Sequence, residues 1–248
     1  MKVLILGGTA EARALAEAFV AAGIPVLSSL AGRVSHPRLP AGEVRIGGFG
    51  GAAGLAGFLR SNGITRVVDA THPFAIRVST NAAEACTQAG VPLLRLVRPG
   101  WENEPAASRW IWVDDHDEAA WQAARLGRRV LLTTGRQTLH HFIGPLAEHT
   151  VLARVVEDVE LALPPTWILI RSRGPYTCAG ERKLMAEHAV EVLVTKDSGG
   201  VHTRAKLDAA DELGVSVVVV RRPLYRGDVP TVADVPAALE WLGLSQTR

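Results

Sequence analysis

The sequence is short of residues that would staple it together or bind metal. It carries only two cysteines in 248 residues, Cys86 and Cys178. That excludes a disulfide framework and a cysteine-rich metal site. Cys86 lies on an apolar helical stripe with Ala75, Val78, Ala82, Ala85 and Ala89, so it reads as core, and Cys178 near a helix start reads as structural. Net charge of one sign is also lacking: 27 basic and 25 acidic residues leave +2, too little for nucleic acid to be the main partner. No apolar run reaches membrane-spanning length, and the first one is too short for a secretory leader before Glu11 and Arg13 interrupt. The expectation is a cytoplasmic protein with no membrane partner. Several catalytic signatures are missing too. There is no Ser–His–Asp set with a nucleophile elbow, and no Walker lysine follows the first turn. His140 and His141 are adjacent and face apart on a helix, so no metal is expected.

What is present is a strand, a glycine turn and a helix at the start. Val3 to Leu6 is a continuous apolar run, as for a strand buried on both faces. Gly7 and Gly8 end it, Thr9 is a fitting N-cap, and Ala12, Leu15, Ala16 and Phe19 share one helical face. Bare backbone and a helix N-terminus together suit a pyrophosphate, although the three-glycine dinucleotide fingerprint is shortened here.

Strand and helix patterns then alternate to the end of the chain. Strands are expected at 25–30, 43–46, 66–70, 91–97, 129–134, 151–155, 167–172, 191–196 and 215–220. Helices are expected at 75–89, 177–188, 203–213 and 234–242. This grammar predicts an α/β fold of two Rossmann-like domains with parallel sheets and an active-site cleft between them. The domains are read as 1–100 for the cofactor, 101–113 as a crossover with a possible edge strand, and 114–248 for the substrate. The segments 113–120 and 232–238 form a loose echo, each running strand into helix.

Ligands of such sheets sit beyond the carboxyl ends of the strands. After the second strand no acidic residue stands ready for a ribose 2′-hydroxyl. Ser28, Ser29, Gly32 and Arg33 stand there instead, which suits a 2′-phosphate and favours NADP over NAD. After the fourth strand comes Asp69-Ala-Thr71-His72-Pro73-Phe74-Ala75. Pro73 reads as the first helical residue, which puts His72 at the cap, where it can donate a proton or hydrogen bond. The second half offers Thr133-Thr134-Gly135-Arg136, then Arg171 to Tyr176, then Lys196 to Gly200 followed by His202, Arg204 and Lys206. Cations at several strand ends would form an anion-attracting wall.

Gly7-Gly8-Thr9-x-Glu11-Ala12, the Asp-Ala-Thr-His-Pro-Phe-Ala stretch, and the Thr-Thr-Gly and Lys-x-Ser-Gly-Gly loops resemble the precorrin-6A reductase family of cobalamin biosynthesis. The similarity runs in order through nearly the whole chain. The resemblance implies NADPH-dependent reduction of a macrocycle double bond, precorrin-6A to precorrin-6B. It also implies a polycarboxylate tetrapyrrole substrate, which accounts for the basic strand ends. On that footing Gly8, Thr9, Ala10 and Glu11 are expected at the pyrophosphate and adjacent ribose, and Ser29, Gly32 and Arg33 at the 2′-phosphate. Thr71, His72 and Phe74 should flank the nicotinamide. Thr134, Gly135, Arg136, Arg173, Tyr176, Lys196, Ser198, Gly199, His202 and Lys206 are expected at the macrocycle. His72, Tyr176 and Lys196 are the candidate proton donors. The alternatives are a cobalt-precorrin-6A reductase of the anaerobic pathway and a non-enzymatic NADP-binding sensor. A short-chain dehydrogenase does not fit, because Tyr176 is followed four residues later by Gly180. Assembly is expected to be a monomer or weak dimer.

Overall fold

The structure, a computed structural model, describes residues 1–32 and 38–244. Arg33 therefore lies outside the described residues, as does the side chain of His202. The chain divides into two compact units, 1–99 with 223–248, and 100–222.

In the first unit the order is β1 (Val3–Leu6), α1 (Ala10–Ala21), β2 (Val26–Leu30), β3 (Glu43–Ile46), α2 (Gly51–Ser61), β4 (Arg66–Asp69), α3 (Ile76–Ala89) and β5 (Leu93–Leu96). The second unit holds β6 (Ile111–Val113), α4 (His116–Leu126), β7 (Arg129–Leu132), α5 (His140–Ile143), β8 (Thr150–Val155), β9 (Trp167–Arg171), α6 (Cys178–Glu187), β10 (Val192–Lys196), α7 (Ala205–Leu213) and β11 (Ser216–Val220). The chain then returns to the first unit for β12 (Thr231–Val232) and α8 (Val235–Trp241).

Every strand pairing among the described residues is parallel, which fits strands that read as unbroken apolar runs. The period of two then sorts β1 between two helical layers. Val3 and Ile5 pack with α1 and α8, whereas Leu4 and Leu6 pack with α2 and α3. Fully burying each such side chain contributes about 1.5–3 kcal/mol. Cys86 belongs to the second of these cores, and burial pushes its thiol up to about 12, which leaves it inert. Cys178 is half-buried and points its thiol at Glu212.

The first sheet runs β12-β5-β4-β1-β2-β3 and the second β6-β11-β10-β7-β8-β9. Both have the doubly wound order, with strand direction of travel reversing beside β1 and beside β7. They differ in where the outermost strand comes from. In the first sheet it is β12, from the far end of the chain, and in the second it is β6, the first strand of its unit.

This corrects the sequence-based domain limits in two places. Residues 223–248 do not belong with the second domain. Thr231 and Val232 pair with Arg95 and Leu96, covering an otherwise open edge of β5, and Ala238 and Leu239 are buried in the α1 core. Segment 101–113, read as a crossover with a possible edge strand, belongs to the second unit: Trp101 and Trp110 are buried in its core, and β6 is an edge strand of its sheet. The loose echo marks the same position in both sheets: Asp115 caps α4 by accepting from Glu118 N, and Asp234 caps α8 by accepting from Ala237 N.

Candidate active site

In a parallel sheet all strand-end loops emerge on one edge, so each unit gathers its own candidates. In the first unit the gap between β1 and β4 is bridged directly. Thr9 Oγ1 accepts from Ala12 N at 3.1 Å, capping α1 as expected, and donates to the Ala70 carbonyl at 2.8 Å. The glycine turn and the Thr71–Phe74 loop are thereby held side by side. Gly8 has φ +118° with open space around its α-carbon, a conformation L residues avoid and an approach that suits a bulky anion. Ala10 opens α1, and Glu11 in its first turn pairs with Arg98 Nη1 at 2.7 Å. Ser29 is buried within β2, where its carbonyl receives Gly7 N, and Gly32 follows with φ +70°.

The loop after β4 is organised by Asp69, which sequence reasoning read only as part of a motif. Its Oδ1 accepts from Thr71 N at 3.1 Å and Thr71 Oγ1 at 2.7 Å, while Oδ2 faces Arg95 Nε at 3.6 Å. The expected helix start at Pro73 is corrected. A turn closes first, with Ala75 N donating to the His72 carbonyl, and α3 begins at Ile76. His72 Nδ1 accepts from Phe74 N at 3.3 Å, and the two rings lie 5.7 Å apart. With Nδ1 accepting, the neutral ring carries its proton on Nε2.

A shallow surface pocket lies at the β1–β2 edge, lined by Gly7, Gly8, Ser28, Leu30, Arg13 and Arg38 among others. Bare glycine backbone, the N-terminus of a three-turn helix and two guanidinium groups fit an anionic dinucleotide.

In the second unit the corresponding gap lies between β7 and β10. Thr133 N and Oγ1 both donate to the Val194 carbonyl, at 2.9 and 3.0 Å. Thr134 is buried, and its hydroxyl has no hydrogen-bond partner among the described residues. Gly135 (φ +87°), Arg136, Lys196, Ser198 and Gly199 cluster by strand position at this edge, with Arg173 after β9. Arg136 donates to the Asp158 carbonyl at 3.3 Å, and Arg173 lies 3.8 Å from Glu157.

Two of the expected macrocycle residues differ in role. Tyr176 donates to the Ser172 carbonyl at 2.9 Å and its ring covers Arg154 at 4.0 Å, so its hydroxyl is already engaged. Lys206 is buried, donating to the Thr203 carbonyl at 2.7 Å, 5.2 Å from the Trp101 ring. Both polar groups have hydrogen-bond partners within the fold.

Sequence reasoning also passed over His116 and Asp197. His116 opens α4 at the same edge, stacked on His141 at 5.4 Å. Burial, then the nearby Lys196 and His141, lower its pKa to about 4. Among the described residues no group of His, Cys, Asp and Glu is arranged to hold a metal. Asp197 ties down both ends of the unit. Oδ1 accepts from Trp101 N at 3.1 Å, and Oδ2 meets Arg222 Nε at 3.1 Å. Gly100 is required there, because a Cβ would stand 2.5 Å from Oδ2. Burial raises the Asp197 pKa despite the pull of Arg222. Its signal was an acid directly after the strand-end lysine.

Two doubly wound parallel sheets, the first opening with a glycine turn at a helix N-terminus, place the protein in the Rossmann class of α/β proteins. The chain belongs to the precorrin-6x reductase CbiJ/CobK family, whose model matches residues 2–243, a family of oxidoreductases in cobalamin biosynthesis. A precorrin-6A reductase of Rhodococcus erythropolis is 48% identical over 248 residues, covering 100% of this chain and 99% of the relative. One from Mycobacterium tuberculosis is 47% identical, covering 97% of each. A solved structure, CobK precorrin-6A reductase, superposes with a TM-score of 0.90 at 37% identity, covering 98% of this chain and 96% of that one. No helix among the described residues is long and apolar enough to cross a membrane.

Proposed function

We propose that this chain is a precorrin-6A reductase that uses NADPH to reduce one ring double bond of the macrocycle, giving precorrin-6B. The observation that carries the reading is the bridge from Thr9 Oγ1 to the Ala70 carbonyl. It fixes the phosphate-type turn beside the loop that carries Thr71, His72 and Phe74. The near-full-length relatives named for this reaction support it. When bound, the nicotinamide supplies the hydride. The chain's own groups position and polarise. Gly8, Thr9 and Ala10 offer backbone N–H groups to the pyrophosphate, and Glu11, steadied by Arg98, accepts from a ribose hydroxyl. Asp69 holds Thr71 so that the loop presents His72, whose Nε2–H is a donor. In the second unit, Arg136, Arg173 and Lys196, with Thr134, Ser198 and Gly199, bind the carboxylate arms of the macrocycle. Of the three proton donors considered, His72 and Lys196 are retained. Tyr176 is set aside because its hydroxyl already serves Ser172.

Anaerobic NADPH oxidation, followed together with the macrocycle spectrum, tests the proposal. Stoichiometric loss of NADPH with metal-free precorrin-6A is expected. Turnover with the cobalt-containing substrate alone, or tight NADPH binding without turnover of either, would overturn it. Lys196→Ala should raise the KM for the macrocycle about tenfold, a typical loss for one charge-assisted hydrogen bond, with NADPH affinity unchanged.

A further inference from the structure

We propose that Asp197 is a positioning residue for the macrocycle: it holds the 196–200 loop of the second unit in the shape that receives a carboxylate arm. The inference rests on the reading that this loop meets the macrocycle, and it adds a residue that touches no ligand. The unit begins at Gly100 and ends at Arg222, and Asp197 is fastened next to both ends. Its Oδ1 accepts from Trp101 N, and its Oδ2 meets Arg222 Nε. Arg222 Nε also donates to the Asp197 carbonyl at 3.0 Å. The carboxylate accepts from Gly199 N as well, so it spans its own loop.

Further bonds shape the same loop. Trp101 Nε1 donates to the Gly200 carbonyl at 3.3 Å, Ser198 N to the Lys196 carbonyl at 2.6 Å, and Thr203 Oγ1 to the Gly199 carbonyl at 3.0 Å. Gly199 and Gly200 have φ of +65° and +69°, so the backbone there has little preference of its own and takes the shape its partners impose. Asp197 N still donates to the Val220 carbonyl at 2.9 Å, which carries the β10 ladder one residue past Lys196. Adjacent residues of an extended chain face opposite ways, so a fixed Asp197 side chain directs Lys196 to the other side.

By charge alone, a carboxylate beside an anion-binding lysine is a liability, because it repels the arms that the lysine attracts. Asp197 is buried and paired with Arg222, which removes most of that repulsion. Stability does not account for the residue either, since a buried ion pair is seldom worth more than an apolar pair of the same shape. What several donors on one buried carboxylate do supply is fixed geometry, here for the segments that enter and leave the unit and for the ligand-facing loop between them.

The test is steady-state kinetics on the full chain with metal-free precorrin-6A, beside fluorescence titration with NADPH. The variants are Asp197→Asn, Gly100→Ala, Lys196→Ala and the double variant of Asp197→Asn with Lys196→Ala. Gly100→Ala displaces the carboxylate without altering its charge, because the added Cβ would stand 2.5 Å from Oδ2. Asp197→Asn and Gly100→Ala should each raise the KM for the macrocycle about tenfold, with kcat and NADPH affinity within about twofold of the wild type. The double variant should match Lys196→Ala, since a misdirected lysine and a missing one lose the same contact. Glu191 holds Arg128 N and Arg129 N at the opposite edge of the same sheet, and Glu191→Gln should leave KM unchanged. A lowered KM in Asp197→Asn would show that its charge only repels. An unchanged KM, losses that multiply fully in the double variant, or NADPH binding weakened as much as macrocycle binding would show that it serves the fold alone. Any of these overturns the positioning role and leaves the reductase reading standing. A KM in Lys196→Ala equal to that of the wild type would overturn the reading of the loop and the positioning role with it, and a wild type without turnover would overturn the reductase reading as well.

Discussion

Each of the two tyrosines lies over a buried arginine, but the two arrangements are wired to different things. In the first unit, Arg95 on β5 sits 3.7 Å beneath the Tyr225 ring and 3.6 Å from Asp69. In the second, Arg154 on β8 sits 4.0 Å beneath Tyr176 and 2.6 Å from Glu181 on α6. Asp69 spends its other oxygen on Thr71, in the loop that carries His72. The other oxygen of Glu181 is buried with no partner among the described residues. The tyrosines differ as well: the Tyr176 hydroxyl holds the Ser172 carbonyl, whereas that of Tyr225 is buried without a partner among the described residues. A tyrosine, an arginine and an acidic residue therefore fasten a helix to a sheet in one unit and the His72 loop to a sheet in the other.

The strongest way to break this comparison is to remove each carboxylate. Asp69→Ala and Glu181→Ala each strand a buried guanidinium, and each should cost about 3–5 kcal/mol in urea unfolding. Only Asp69→Ala should also weaken NADPH binding, about tenfold, because two hydrogen bonds to the loop go with it. Equal effects on NADPH would contradict the distinction.

Gly8→Ala tests the first unit by itself. At φ +118° with no neighbour near, the added methyl brings backbone strain of about 1–3 kcal/mol and no clash. Thermal unfolding should show that loss, and fluorescence titration should show NADPH binding weakened by more than the strain accounts for.

Acid should single out the second unit. His116 has a pKa near 4 when folded, against 6.5 unfolded, with Lys196, His141, Asp115 and Asp117 around it. The unfolded chain then binds the extra proton, so stability falls as pH drops from about 6.5 to about 4 and levels off below. With solvent screening the loss is about 2 kcal/mol at most. His116→Gln should flatten that part of the curve in urea titrations at pH 7 and pH 4.5, and an unaltered slope would remove His116 as its source.

The tyrosines give the smallest effects. Tyr176→Phe should cost about 1 kcal/mol through the lost bond to Ser172, with kcat retained. Tyr225→Phe should be nearly neutral, since that hydroxyl has no partner among the described residues. A large fall in kcat for Tyr176→Phe would restore it as proton donor.

Much of this fold was legible because parallel strands buried on both faces read as plain apolar runs, as at Val3 to Leu6 and Val217 to Val220. The loose echo between segments 113–120 and 232–238 holds an Asp helix cap in each, at Asp115 and Asp234. The destination of β12 was not legible. Two residues of strand carry little signal, and their sheet is chosen by pairing with Arg95 and Leu96. The site divides in the same way. Glycine turns and the His72 loop announce themselves locally. Asp69 with Arg95 is a register partnership between strands, and the pocket lined by Arg13, Ser28 and Arg38 draws on three separate segments. Lys206 and Tyr176 read from the sequence as ligand-facing groups, and spacing does not report that Lys206 is buried or that the Tyr176 hydroxyl bonds the Ser172 carbonyl.

The most direct measurement is mass spectrometry of the product formed anaerobically from metal-free precorrin-6A and NADPH carrying two deuteriums at the nicotinamide C4. The account predicts a reduced macrocycle with one deuterium on carbon, at a rate that falls with Asp69→Ala and not with Glu181→Ala. A reduced product without deuterium, or no reduction while NADPH stays bound, would contradict it.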